Sequence, residues 1–205
     1  MTIPVMTIAE GFQNKGAPFM FTGCTRFDFP EFLAGIGLKV GVEIGVSRGE
    51  MTEEFCKAGL KLFGIDPWVP FPGQGRCNLY QSTADIHLGI TLDRMAPYIE
   101  NGLCTFIKKT SMDALDDFQR GSLDFVYMDG RHEFPFIAED VYYWSDKVRT
   151  GGIVAGHDYR NSGWRTKNTV YHVKAIIDAY TVLYEIENWW VFGKGQDWSW
   201  AWIKP

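Results

Sequence analysis

From residue 38 onward, short apolar runs alternate with longer stretches of helical spacing. Val40–Ile44, Leu62–Ile65, Cys104–Ile107, Leu123–Met128 and Gly151–Ala155 have the length and side-chain content of buried strands. Between them, Glu50–Ala58 has helical composition and stops at Gly59, a helix-ending residue. A Pro/Gly-rich loop follows over Pro67–Arg76, and residues 79–99 fit a helix with Leu79, Ile86, Ile90 and Met95 among its apolar positions. Met112–Phe118 reads as a short helix. Phe136–Val148 carries Ile137, Val141 and Trp144 at spacings of four and three, and Asn168–Tyr180 reads as the last helix. Two closing strands, about 181–187 and 197–203, are joined through Gly193 and Gly195 and must be antiparallel to each other. Upstream, residues 1–27 show little periodicity and read as an irregular arm that folds over a site. Asp28 then caps a short helix with Pro30 in its first turn.

Five alternations of strand and helix predict an α/β fold. It is a Rossmann-like, doubly wound, mostly parallel seven-stranded sheet with an antiparallel C-terminal strand and helices on both faces. No internal repeat or linker divides the chain, so residues 1–205 are expected to form one domain. Within it, 1–37 make the arm and first helix, and 38–205 the core.

Composition narrows the classes. With 46% apolar and 22% charged residues the chain is neither disordered nor low-complexity. No apolar run approaches a membrane span, and the first 20 residues lack a secretory pattern, so the expected location is cytoplasmic. A net charge of −5 argues against nucleic acid as the main partner and leaves a small molecule, with a second copy of the chain as a further candidate. Cys24, Cys56, Cys77 and Cys104 contain no CxxC pair and read as free thiols.

In an open parallel sheet, ligands bind beyond the carboxyl ends of the strands, near the point where strand order reverses. The residues just after the strands are Gly45-Val46-Ser47-Arg48-Gly49, Asp66, Ser111-Met112, Asp129 to His132, and His157-Asp158. The glycine turn lets a ligand approach the backbone and leads into a helix N-terminus. Its spacing is neither GxGxxG nor a P-loop. Asp66, about 20 residues beyond that turn, is placed to accept hydrogen bonds from both ribose hydroxyls of an adenosine-containing ligand.

These motifs resemble class I S-adenosylmethionine-dependent methyltransferases, in particular a small bacterial and phage group. The resemblance rests on Val42-Glu43-Ile44-Gly45, Gly64-Ile65-Asp66-Pro67-Trp68, Asp129-Gly130-Arg131-His132 and the run Gly151 to Tyr159, which ends Ala155-Gly156-His157-Asp158-Tyr159. It implies S-adenosylmethionine as cofactor. Glu43 would face its methionine amino group through water. Gly45, Val46, Ser47 and Gly49 would surround the methionine tail, and Asp66, Pro67 and Trp68 the ribose. Ser111 and Met112 would border adenine, and Asp129 would close the methionine end.

His132, His157 and Asp158 are the candidate catalytic residues for deprotonating an acceptor hydroxyl. Asp129 and Asp158, with His132 nearby, also suit Mg²⁺ or Mn²⁺. Relatives carry a richer acidic pattern, because Arg131 and Tyr159 stand where further hard ligands are expected. The expected reaction is methyl transfer to a small molecule, favouring oxygen, with a sugar-containing acceptor as the finer reading. A cofactor-binding assembly protein and an NAD-dependent oxidoreductase are the alternatives.

His87 and His172 fall in expected helices and receive no role. Trp198, Trp200 and Trp202 share one strand face and, with Trp189 and Trp190, read as core or a copy-to-copy contact, or as an aromatic wall for an acceptor. Arg160, Arg165, Lys167 and Lys174 form a basic cluster, either a solvated face or a contact for an anionic substrate.

Overall fold

A computed structural model describes residues 2–70, 80–162 and 170–205. The capped helix α1 (Ile8–Phe12) opens the described chain. Thr7 accepts from the Glu10 N–H while the Glu10 carboxylate accepts from Thr7 N–H, which satisfies donors that a helix start leaves unpaired. Then follow β1 (Phe19–Thr22), α2 (Phe29–Gly35), β2 (Val40–Ile44), α3 (Glu50–Lys57), β3 (Lys61–Ile65), α4 (Gln81–Glu100) and β4 (Cys104–Ile107). The chain continues through β5 (Leu123–Met128), α5 (Phe134–Lys147), β6 (Val148–Gly156), α6 (Val173–Leu183), β7 (Trp189–Lys194) and β8 (Asp197–Ile203).

The sheet order is β1-β7-β8-β6-β5-β2-β3-β4. β8 runs antiparallel to β6 and β7, and the other pairings are parallel. Sequence order reverses direction beside β2, with β3 on one side and β5 on the other, so ligand-binding loops converge there. The doubly wound expectation holds, with one correction: the sheet has eight strands. The extra one, β1, lies in the arm read as irregular and pairs with β7 from Phe19↔Trp190 to Thr22↔Gly193. Its four residues are too few for a periodic signal.

Both faces are covered, as parallel strands require. On one face α5 and α6 pack Ile137, Val141, Trp144, Val173 and Ile177 against Val126, Val154, Trp200 and Trp202. On the other, α1 to α4 pack Ile8, Phe29, Leu33, Phe55 and Met95 against Phe125, Tyr127, Trp190 and Phe192. Trp200 and Trp202 are thus core residues, with Trp198 packed against the same cluster.

Four element expectations are corrected. The segment from 181 to 183 ends α6, where the Thr181 hydroxyl donates to the Ile177 carbonyl, and the strand begins later, at Trp189. The β-branched residues Thr181 and Val182 mimic a strand start but continue the helix. α6 begins at Val173, and Asn168 lies outside the described residues. Met112–Phe118 contains a single 3-10 turn, Leu115–Asp117. In α4, Ile86 is 60% exposed and the buried face is Ala84, His87, Thr91 and Met95 instead. Leu79, Cys77, Arg165 and Lys167 are outside the described residues, as is most of the Pro/Gly-rich loop. No helix among the described residues is long and apolar enough to cross a membrane.

Candidate active site

Beyond the carboxyl ends of β2 to β5 lies a cavity of about 660 Å³. Its walls include Gly45, Ser47, Asp66, Pro67 and Trp68 at one end, and Ser111 and Met112 after β4. Asp129 to Glu133, Phe136 and Asp140 complete it from β5 and α5.

The turn after β2 is shaped by contacts between loops. Gly45 has φ +88°, and a Cβ there would stand 2.3 Å from the Asp129 carbonyl oxygen. Only glycine lets these two strand ends approach so closely. Ser47, also at positive φ, donates its N–H to Asp66 (2.9 Å), and Trp68 N–H donates to the other Asp66 oxygen (2.8 Å). The Val46 N–H also bears on this carboxylate, so backbone donors occupy most of the about four acceptor positions it offers. Burial raises the Asp66 pKa, against the pull of these backbone hydrogen bonds. The Ser47 carbonyl accepts from the Trp68 indole and the Thr91 hydroxyl, each at 2.9 Å.

Three residues expected around the methionine tail do not line the cavity. Gly49, at φ +75°, starts α3, and its α-carbon faces Thr91 and Met95 of α4. Val46 packs with Trp68 and Ala84. Glu43 is buried beneath the turn and accepts a short hydrogen bond from Thr52. Burial lifts its pKa well above the usual carboxylate range.

The other end carries a charged cluster. Asp129, His132 and Asp158 each present one donor atom within 4.8 Å of the others. His132 Nε2 lies 3.4 Å from both carboxylates and has no hydrogen-bond partner, and its ring packs on Tyr171. Arg26, four residues past β1, places Nη1 3.1 Å from Asp129 Oδ2. Arg160 Nη2 donates to Asp158 Oδ1 at 2.7 Å.

His157 sits behind this pair. Its Nδ1 is 3.7 and 3.6 Å from the two carboxylates, and its Nε2 meets Asp197 of β8 in a short contact. Burial would lower the His157 pKa, but Asp129 and Asp158 outweigh it and hold it at about 10. Burial likewise opposes ionisation of Asp129, yet the adjacent His132 and His157 rings keep that carboxyl far below its ordinary value. Of the three candidate catalytic residues, His132 reaches the cavity wall, whereas His157 and Asp158 lie outside its lining.

A family model described as a methyltransferase domain matches residues 42–159, more than half of the chain. The chain belongs to that family. This methyltransferase domain is similar in fold to the O-methyltransferase TomG of Streptomyces achromogenes, solved with SAM. Identity is 15%, coverage 88% of this chain and 80% of that one, and TM-score 0.58. It is also similar to an O-methyltransferase of Bacillus cereus solved with SAH (15%, 87% and 80%, 0.59). A third is a putative caffeoyl-CoA O-methyltransferase of Staphylococcus aureus (10%, 86% and 81%, 0.60). A curated relative, the uncharacterized protein y4gI of Sinorhizobium fredii, is 26% identical over 123 residues. That match takes in 57% of this chain and 13% of the relative, so the chain spans only a small part of the relative's length.

In the methyltransferase, sequence reasoning missed Arg26, His87, Asp140 and Asp197. His87 belongs to the cavity wall: Arg48 Nε donates to its Nε2 at 3.1 Å, and Ser47 Oγ stands 3.5 Å from its Nδ1. A polar pair four residues apart, His87 and Thr91, was the available signal for a helix face turned to the glycine loop. His172 precedes α6 and accepts the Phe134 N–H at 2.9 Å. Arg26 and Asp197 reach the cluster only through long-range pairing and left no local signal.

Proposed function

We propose that this methyltransferase transfers the methyl group of S-adenosylmethionine to a hydroxyl of a small molecule. The carrying observation is that one cavity holds Asp66, a strand-end carboxylate, and His132, with an unpartnered ring nitrogen. The cofactor supplies an activated methyl, so the chain must orient two reactants and ready the nucleophile. Asp66 holds the ribose, and the Gly45–Ser47 turn borders the methionine tail. His132 Nε2 takes the acceptor's hydroxyl proton as its oxygen attacks the sulfonium methyl. The C–O bond forms, the C–S bond breaks, and S-adenosylhomocysteine leaves. His157 stays protonated at neutral pH and balances Asp129 and Asp158.

The donor set of Asp129, His132 and Asp158, with its orphaned nitrogen, fits a divalent ion such as Mg²⁺ or Mn²⁺. An ion held there would take up His132 Nε2 as a ligand and would itself lower the pKa of the acceptor hydroxyl, in place of proton transfer to that nitrogen. The finer reading is a sugar-containing acceptor. Support comes from Phe136 and from the Glu133 and Glu139 carboxylates, acceptors for sugar hydroxyls, which share the cavity lining.

The test is calorimetric titration with S-adenosylhomocysteine, NAD as control, followed by a methylation screen of small hydroxyl compounds. Micromolar S-adenosylhomocysteine binding and a methylated product are expected. NAD binding in its place would refute the proposal, and cofactor binding without product from any acceptor would favour an assembly role.

A further inference from the structure

His132 Nε2 has no hydrogen-bond partner, so nothing at that atom fixes the ring. The ring must be held by its backbone and by packing, because a catalytic constellation tolerates only about 0.5 Å of misplacement. Both supports come from Tyr171 and His172, the short segment that runs into α6. His172 N–H donates to the His132 carbonyl at 2.8 Å. The His172 ring accepts the Phe134 N–H on Nδ1 at 2.9 Å. That N–H opens the first turn of α5, where a helix leaves its donors unpaired. Glu133, at the cap position, supplies no side-chain cap and pairs with Arg131 instead. His172 therefore grips the chain on both sides of Glu133, at residues 132 and 134. The Tyr171 ring packs on the His132 ring, with centroids 5.1 Å apart. Tyr171 is anchored in turn. Its carbonyl accepts from Ser162 N–H (2.9 Å), its N–H donates to Ser162 Oγ (3.1 Å), and Arg160 lies over its ring at 3.8 Å. Arg160 also donates to Asp158, one of the two carboxylates that face His132 Nε2.

We propose that Tyr171 and His172 are positioning residues, a clamp that sets the His132 imidazole at the cavity end with Nε2 turned to Asp129 and Asp158. This rests on the function proposed above, in which that nitrogen meets the acceptor proton or an ion. The clamp needs an acceptor at position 172 and a flat ring at position 171. Because Phe134 N–H donates to it, His172 Nδ1 presents its lone pair and the ring proton sits on Nε2. Asparagine offers a carbonyl oxygen at nearly the same place, whereas leucine offers a similar volume and no acceptor.

The experiment is NMR on the whole chain, isotope-labelled at its four histidines, with each ring assigned by single substitution. The intact protein should give one sharp His132 ring signal with a nuclear Overhauser contact to the Tyr171 ring. His172→Leu should broaden or split that signal and leave the His87 signal, from the opposite end of the cavity, unchanged. Tyr171→Leu should do the same, and serves if His172→Leu does not fold. His172→Asn and Tyr171→Phe should keep a single sharp line. On the acceptor found by the methylation screen, the leucine variants should lower kcat by roughly 10–100-fold with KM unchanged, and the conservative variants should recover it. A His132 signal as sharp in the leucine variants as in the intact protein, or as disturbed in His172→Asn as in His172→Leu, overturns the clamp and leaves the transferase reading standing. Failure of the intact protein to bind S-adenosylhomocysteine removes the transferase reading, and the ring signals alone then decide the clamp.

Discussion

Replacing Gly45 with alanine tests whether the approach of two strand ends shapes the site. Alanine at φ +88° adopts a backbone region that disfavours L residues by about 1–2 kcal/mol. Its Cβ would also stand 2.3 Å from the Asp129 carbonyl oxygen, well inside contact distance, so β2 and β5 must shift apart where they meet the cavity. Overpacking of this kind typically adds about 1–3 kcal/mol, for a total of about 2–5 kcal/mol. Gly59→Ala is the matched control. Its φ is +80°, yet nothing lies within 4 Å of the added atom, so it carries the backbone penalty alone. Urea unfolding of both variants separates the two effects. For a chain of this size each kcal/mol moves the melting temperature by about 2–4 °C, so thermal scans offer a second measure. Gly45→Ala should also weaken S-adenosylhomocysteine binding, and Gly59→Ala should leave it intact. Equal destabilisation by the two, within about 0.5 kcal/mol, would refute the argument that the contact with Asp129 constrains this turn.

Asp66→Ala should weaken S-adenosylhomocysteine by on the order of 100-fold in calorimetry, through lost charge-assisted hydrogen bonding; unchanged affinity would place the ribose elsewhere. His132→Gln should lower turnover by about 10²–10⁴ with cofactor affinity nearly constant, and a loss confined to binding would contradict its role as base. Arg26→Met should cost about 1–3 kcal/mol in urea, because Asp129 loses a partner in a partly buried pair; unaltered stability would show that the arm's guanidinium is dispensable. Asp140 has a folded pKa raised to about 7 by burial. Its contribution to stability is therefore complete below about pH 4 and is lost as pH rises through 7. The stability of Asp140→Asn relative to the intact protein should accordingly grow between about pH 4 and 7 and level off above, and a pH-independent difference would contradict it.

The alternation of five strands with helices was legible because parallel strands buried on both faces read as short apolar runs. Asp66 and the Gly45 turn were legible for a related reason: the fold sends its chemistry to strand ends, and those positions follow directly from the strands. What each residue does there was harder to read. Gly49 and Val46 lie in the right turn but serve α3 and the packing of Trp68. Glu43, on the strand that leads into this turn, is committed to Thr52. His87 was passed over because its helix was assigned an apolar face through Ile86 and Ile90, whereas the buried face belongs to smaller and more polar side chains. Arg26 and Asp197 are set by pairings across most of the chain, which no local window contains.

The pairing of β1 with β7 links residues 171 positions apart in sequence. Contacts of that separation form late, because a long loop must close before they contribute. During synthesis β2, β3 and β4, which carry Gly45, Asp66 and the approach to Ser111, can associate while β1 still lacks a partner. Arg26 reaches Asp129, and Asp197 reaches His157, only once the β7–β8 hairpin has emerged and captured the arm. The Asp66 end of the cavity can therefore form before the charged cluster at its other end. A nascent chain would be able to hold a cofactor-sized ligand before it could perform chemistry on it, so early ligand capture could assist folding without releasing an active, half-made enzyme.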